Sequence, residues 1–116
     1  MSYFPTRMFR GAAIYGVIVL APLYLAPLPQ VGAETVLGFI GITLAFQAVF
    51  WIIGGNPRKY RALMLPAIAE KLAFGVPALA LWVQGRTPGM LAAFGAIDLL
   101  LALGFAVALR RTPRQS

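Results

Sequence analysis

Residues 35–54 read TVLGFIGITLAFQAVFWIIG, twenty positions with no charge and with only Thr35, Thr43 and Gln47 as hydrophilic side chains. Crossing the hydrocarbon of a bilayer takes about 20 residues of helix, with roughly 17–25 tolerated. A backbone in lipid must satisfy its own hydrogen bonds, so such a run is either a helix or a strand of a closed barrel. It lacks the alternation of a barrel strand, and a helix is predicted. Outward from it, three more apolar runs occupy about 11–28, 63–83 and 90–109. The expectation is an all-α membrane protein, a four-transmembrane-helix antiparallel bundle in which residues 1–116 form a single domain.

Composition agrees. Of 116 residues, 60% are hydrophobic and 11% charged, where a soluble domain carries about 25% charged residues. A chain of this length forms one domain, and its apolar surplus must face something other than water. The chain has no cysteine and no histidine. Disulfide relays, thiolate nucleophiles, His-ligated haem, the usual zinc sites and serine–histidine triads all need one or the other. No phosphate-cradling glycine loop follows a strand. No catalytic, cofactor or metal site is therefore expected. The formal charge of +7 lies at the ends of apolar runs rather than along a polar face, and no nucleic-acid-binding motif accompanies it. Nucleic acid is not an expected partner.

Local punctuation marks the segment ends. Gly54-Gly55 predicts a left-handed cap closing the second helix. Asn56-Pro57 predicts the restart, with Asn56 as N-cap and Pro57 in the first turn, and Thr87-Pro88 repeats the signal before the fourth helix. Pro27, Pro29 and Gly32 break the chain between helices one and two. Pro22 and Pro77 fall inside predicted spans, where proline removes a backbone hydrogen bond. With all three loops short, sequence neighbours are expected to pack antiparallel.

Orientation follows from lysine and arginine. Arg7 and Arg10 precede the first span, Arg58, Lys59 and Arg61 lie between the second and third, and Arg110, Arg111 and Arg114 follow the fourth. That is eight on one side against Arg86 on the other. The positive-inside rule places the eight, and both termini, in the cytoplasm. Arg58, Lys59 and Arg61 crowd a helix N-terminus, where the dipole disfavours cations, and their expected use is the anionic membrane surface. Tyr3, Phe4, Phe50, Trp51, Tyr60 and Trp82 sit near span boundaries and read as interfacial anchors. A rival reading treats the basic start, the apolar run and Val31-Gly32-Ala33 as a cleavable leader, which would leave Glu34 as the first mature residue and three spans.

Four polar residues interrupt the apolar runs: Gln47, Glu70, Lys71 and Asp98. At 1.5 Å per residue, Gln47 lies about 12 Å, Glu70 about 14 Å, Lys71 about 15 Å and Asp98 about 16 Å from the basic face. They share one layer across three helices. Ionisable groups at such depth pair with one another or face the bundle interior. An ion pair between Lys71 and Asp98 is predicted, with Glu70 and Gln47 beside it. The surplus carboxylate then either holds a proton or shares the lysine. Glu70 is the candidate titrating residue. Small residues spaced by four at Ala12/Gly16, Gly41/Ala45 and Gly104/Ala108 are candidate points of close helix approach.

The stretch Asn56-Pro57-Arg58-Lys59-Tyr60-Arg61-Ala62-Leu63-Met64-Leu65-Pro66, followed by Glu70-Lys71 and Asp98, resembles a pattern in small bacterial membrane proteins grouped loosely as DoxX-like. The resemblance covers about the second half of the chain. It implies a bacterial inner-membrane four-helix bundle and no particular activity. Small multidrug transporters have a comparable size but depend on a glutamate in their first helix, where this chain has no carboxylate. The sequence thus predicts an integral membrane protein without a catalytic centre, most simply an accessory or structural subunit of a membrane complex. The alternative is a small homo-oligomeric transporter or channel with the Glu70/Lys71/Asp98 layer along its route. A membrane enzyme using Glu70 and Asp98 as acid and base ranks third. The expected partners are the lipid bilayer and, with it, other membrane subunits or further copies of the chain.

Overall fold

A computed structural model describes residues 3–114. Four α-helices follow in order: α1 (Phe4–Leu20), α2 (Ala33–Gly55), α3 (Met64–Val83) and α4 (Gly89–Arg111). A 3₁₀ turn over Ala21–Leu25 extends α1, and another over Arg61–Leu63 leads into α3. No strand occurs among the described residues. Each of the four helical stretches is long and apolar enough to cross a membrane.

Four boundaries differ from the sequence reading, each for a local reason. The first helix begins at Phe4 rather than near Gly11, with Pro5 in its first turn, a position that wastes no backbone donor. Arg7 and Arg10 therefore lie within the helix. They are accommodated because Arg7 points outward and the Arg10 guanidinium lies 4.3 Å from the centre of the Trp51 ring. At the other end, α1 gives way to the 3₁₀ turn just before Pro22, so Pro22 is not inside an α-helix, whereas Pro77 is inside α3. The Asn56 side chain accepts a hydrogen bond from the Lys59 backbone N–H at 3.2 Å. It caps a turn, as such side chains do, and α3 itself starts later, at Met64. Pro88, not Thr87, occupies the cap position of α4.

The expected left-handed cap at Gly54-Gly55 is absent. Positive φ occurs at Gly32 (85°) and Gly85 (75°), in the two turns at the opposite end of the molecule. Gly54 is instead buried in α2, where a side chain would press on Arg10 and the Thr6 carbonyl of α1. The need there is for close approach between helices, not for an unusual backbone angle.

The helices run up and down, with the start of α1, the end of α2, the start of α3 and the end of α4 gathered at one end. Arg10 over Trp51 joins α1 to α2, Arg111 lies 5.0 Å over Phe4 to join α4 to α1, and the Arg61 Nε donates 2.8 Å to the Thr112 carbonyl. Two hairpins, α1–α2 and α3–α4, are each tightly packed, and α1 joins them by packing on α4. Sequence neighbours run antiparallel as expected, but α2 and α3 touch only sparsely. The α3–α4 hairpin is drawn together at Gly75, Ala78 and Gly95: a side-chain carbon on Gly95 would meet the Ala78 methyl at 2.8 Å. Of the three predicted small pairs, Ala12/Gly16 and Gly104/Ala108 lie in contacts between helices; Gly41 faces the Tyr24 hydroxyl of the 3₁₀ extension of α1, and Ala45 is exposed.

The dry core lies toward the basic end. Phe9 (α1), Phe50 (α2) and Phe105 (α4) are fully buried. The Phe9 and Phe105 rings stack at 4.1 Å between centroids, and Phe50 meets Phe105 edge-on at 5.0 Å. Met64, Ala67, Ile53 and Ala108 complete this layer. Phe50 is accordingly a core residue and not the interfacial anchor expected from its place near a span boundary. Trp51 and Trp82 remain half exposed.

Candidate functional site

Directly beyond the phenylalanine layer the interior becomes polar. Lys71 on α3 is almost entirely buried, at 3% exposure. Its Nζ lies 3.6 Å from Asp98 Oδ1 on α4 and 3.9 Å from Glu70 Oε2 on its own helix. Its third neighbour is the Phe50 ring, 5.1 Å from Nζ to the centroid, a cation–π contact that ties α3 to α2. The predicted Lys71–Asp98 pair is present. Glu70 and Lys71 leave a helix about 100° apart, yet the long lysine stem lets one ammonium reach both carboxylates.

Gln47 on α2 belongs to the same layer and is 1% exposed. Its Nε2 donates 2.7 Å to the Thr43 carbonyl, which fixes the amide, since a carbonyl can only accept. The Thr43 hydroxyl in turn donates back to the Phe39 carbonyl at 2.6 Å. Gln47 Oε1 is left buried without a hydrogen-bond partner, as are Glu70 Oε2 and the Tyr15 hydroxyl on α1. Buried polar atoms without partners are uncommon and call for an explanation.

These atoms surround the floor of a cavity of about 340 Å³. Tyr15, Gln47, Glu70, Lys71 and Asp98 line it at the base, with apolar walls supplied by Val19, Leu20, Phe39, Phe74 and Phe94. Leu23, Met90 and Leu91, which line it near the ends of their helices away from the basic cluster, are exposed, as is Phe39 on its α2 wall, so the mouth lies toward that end and along the α2 side. The sparse contact between α2 and α3 leaves this space beside them, and Phe39 and Phe74 meet at its edge with ring centroids 6.0 Å apart. One chain therefore supplies a blind cavity: apolar walls, a charged floor, and an aromatic seal beneath. All four residues of the predicted polar layer line it. Tyr15 is an addition that the sequence reading missed.

The basic residues separate into two groups. Arg7, Arg58, Lys59, Arg110 and Arg114 are exposed, as is Arg111 despite its contact with Phe4. Arg10, Arg61 and Arg111 carry the interhelical contacts described above. Arg61 thus does more than crowd a helix N-terminus. It binds a carbonyl just past the end of α4, where the last carbonyls of a helix lack partners and favour a cation.

Among the described residues no group of three or more acidic, histidine or cysteine side chains is placed to hold a metal ion. No family model, no curated protein and no solved structure matches the chain. The chemistry open to the site is that of its own groups: ion pairing, hydrogen-bond acceptance and the holding of a proton.

Proposed function

We propose that the chain is a small membrane carrier that binds a solute in the blind cavity and uses the Glu70–Lys71–Asp98 layer as an exchange point for a proton. The observation that supports this most is Glu70. Its Oε2 is buried at the cavity floor without a hydrogen bond, and the single ammonium nearby, 3.9 Å away, is shared with Asp98 at 3.6 Å. A layer that only fixed helix order would be satisfied by one lysine and one carboxylate. A second carboxylate facing a cavity is the arrangement expected of a proton or substrate site within a membrane. The cavity is built by one chain, so the carrier reading needs no further copies to form its site. In this reading the basic end faces the cytoplasm of a bacterial inner membrane, by the eight-to-one distribution of Lys and Arg, and the cavity opens to the far side.

The test is reconstitution in liposomes with a pH-sensitive dye inside and a panel of small amines, carboxylates and neutral solutes outside. At least one class is expected to drive an internal pH change that protein-free liposomes lack and that Glu70→Gln abolishes. Equal signals from the wild-type and Glu70→Gln proteins for every solute would remove the proposal.

A second reading, an accessory subunit of a larger membrane complex, is favoured by one feature. A shallow, mostly apolar groove runs along the outside of the α1–α2 hairpin, lined by Ala13, Ile14, Val17, Gln47, Ala48 and Trp51, a surface that a neighbouring helix would cover. Native mass measurement after mild-detergent purification separates the two. A defined complex of stable composition supports the subunit reading, and the chain emerging alone counts against it.

A further inference from the structure

The carrier reading leaves the solute open, and the floor of the cavity narrows it. Two carboxylates face one ammonium, so with both ionised the layer is one positive charge short. An uncompensated charge at this depth is expensive. A cation entering the cavity supplies what is missing, while an anion would bring a third negative group against the two present. The floor already accommodates an ammonium: Lys71 Nζ rests between Asp98 Oδ1 at 3.6 Å, Glu70 Oε2 at 3.9 Å and the Phe50 ring at 5.1 Å.

Hydrogen-bonding capacity points the same way. The buried atoms without a hydrogen bond include two acceptors, Gln47 Oε1 and Glu70 Oε2, the latter 3.9 Å from the Lys71 ammonium, and Asp98 adds another carboxylate. These come from α3, α2 and α4 and line one cavity. Gln47 matters most here because it stands outside the acidic pair. It is 1% exposed, its amide nitrogen is tied to Thr43, and its oxygen, without a hydrogen bond, packs where a side chain on Gly16 of α1 would grow, Gly16 being itself part of the cavity lining. A primary ammonium has three N–H donors, one for each of these three side chains. A bare metal ion would find only two carboxylates and no third acidic, imidazole or thiolate ligand among the described residues. Above the floor the walls are Leu20, Phe39, Phe74, Phe94 and Met90, and a volume of about 340 Å³ lies at the small end of the range for organic ligands.

We infer that the cavity binds a primary ammonium carried on a compact apolar body, with the ammonium among Glu70, Asp98 and Gln47 and the apolar part between the aromatic walls. This deepens the carrier reading and rests on the same cavity, but it concerns binding alone and stands or falls separately. Amine entry and loss of a proton from a carboxylate of the layer are alternatives in charge, so binding is expected to release the proton held by one of the two carboxylates. The titratable and charged groups facing the site are Tyr15 from α1, Glu70 and Lys71 from α3, and Asp98 from α4.

The experiment is calorimetric titration of the full chain in nanodiscs, with empty nanodiscs subtracted. The probes share one ring and one chain length: 2-phenylethylammonium, its trimethylated analogue, 2-phenylethanol and 3-phenylpropionate. The expected result is at least tenfold tighter binding of 2-phenylethylammonium than of each of the other three, with heats that vary with buffer ionisation as a proton is released. This ladder uses the native chain, so it does not depend on any variant folding. In Glu70→Gln and Gln47→Leu proteins that retain native helicity and elution volume, the primary amine is expected to bind at least tenfold more weakly. Equal binding of the alcohol, tighter binding of the carboxylate, or no binding of any probe would overturn the inference. If the amine does not bind while Glu70-dependent flux persists in liposomes, the inference fails and the carrier reading stands. If the amine binds and no flux occurs, the inference stands and the carrier reading falls.

Discussion

With Asp98 at 3.6 Å and Glu70 at 3.9 Å from its ammonium, Lys71 balances two carboxylates at once, and the three residues are not equivalent to mutation. Removing the lysine leaves two buried carboxylates unopposed, whereas removing either carboxylate leaves a matched pair. Breaking a buried pair by deleting one partner costs on the order of 3–5 kcal/mol. Lys71→Met is therefore expected to lower the melting temperature in detergent far more than Asp98→Asn, and Lys71→Met combined with Asp98→Asn to recover part of the loss. Comparable destabilisation by the two single changes would show that Lys71 is not shared. The charged members of this layer were legible in the sequence because a charge inside an apolar run has few physical reasons to be there. Tyr15 was not, for two reasons. A phenol does not stand out among aromatic and aliphatic neighbours. Starting the first helix near Gly11 also placed Tyr15 close to the surface. Counted from Phe4, it lies about 16 Å along the helix, level with the polar layer.

At the level of the helices, the sequence announced existence and length more clearly than mutual packing. A soluble helix shows its core-facing side as an apolar stripe. In a helix that faces lipid on one side and protein on the other, both sides are apolar and the stripe vanishes. Nothing in the run of residues 35–54 distinguishes Phe50, fully buried, from Trp51, half exposed. Glycine positions carry the missing information only after the helices have been placed. Gly95 sits against Ala78 at the α3–α4 crossing, while Gly11 on α1 has open space where a side chain would grow. Gly95→Val is expected to destabilise by about 1–3 kcal/mol through overpacking, and Gly11→Ala to leave the melting temperature unchanged or slightly raised, since alanine is the better helix former. Similar losses from both would contradict the crossing. In the aromatic layer, Phe105→Ala removes the ring shared by Phe9 and Phe50 and is expected to cost about 3–5 kcal/mol, again read as a melting shift.

For the whole molecule, the charge asymmetry gives the orientation its direct test. The chain contains no cysteine, so single cysteines can be added to an otherwise silent background. Gln30→Cys, at the end where the cavity opens, is expected to react with a membrane-impermeant maleimide in intact cells. Pro113→Cys, at the basic end, is expected to react only after permeabilisation. The reverse pattern would invert the proposed orientation, and labelling of both in intact cells would argue for insertion in two orientations. The bundle and its handed distribution of charge were readable in composition and spacing. The cavity was not, because it arises from an absence of packing. α2 and α3 are neighbours in sequence that barely touch, and no local signal reports a gap between helices.

The seal beneath the cavity has an electrical consequence in the proposed setting. A cavity open to one side brings that side's potential partway into the bilayer, so most of the membrane voltage falls across the remaining, closed part. Here that part is the layer of Phe9, Phe50 and Phe105. A charge moving from the mouth down to Glu70 would cross little of the voltage, and the same charge passing the three rings would cross most of it, at up to roughly 2.3 kcal/mol per 100 mV. Loading from the open side would then be nearly indifferent to membrane potential, and the transfer past the rings would be the step the cell's voltage drives or opposes.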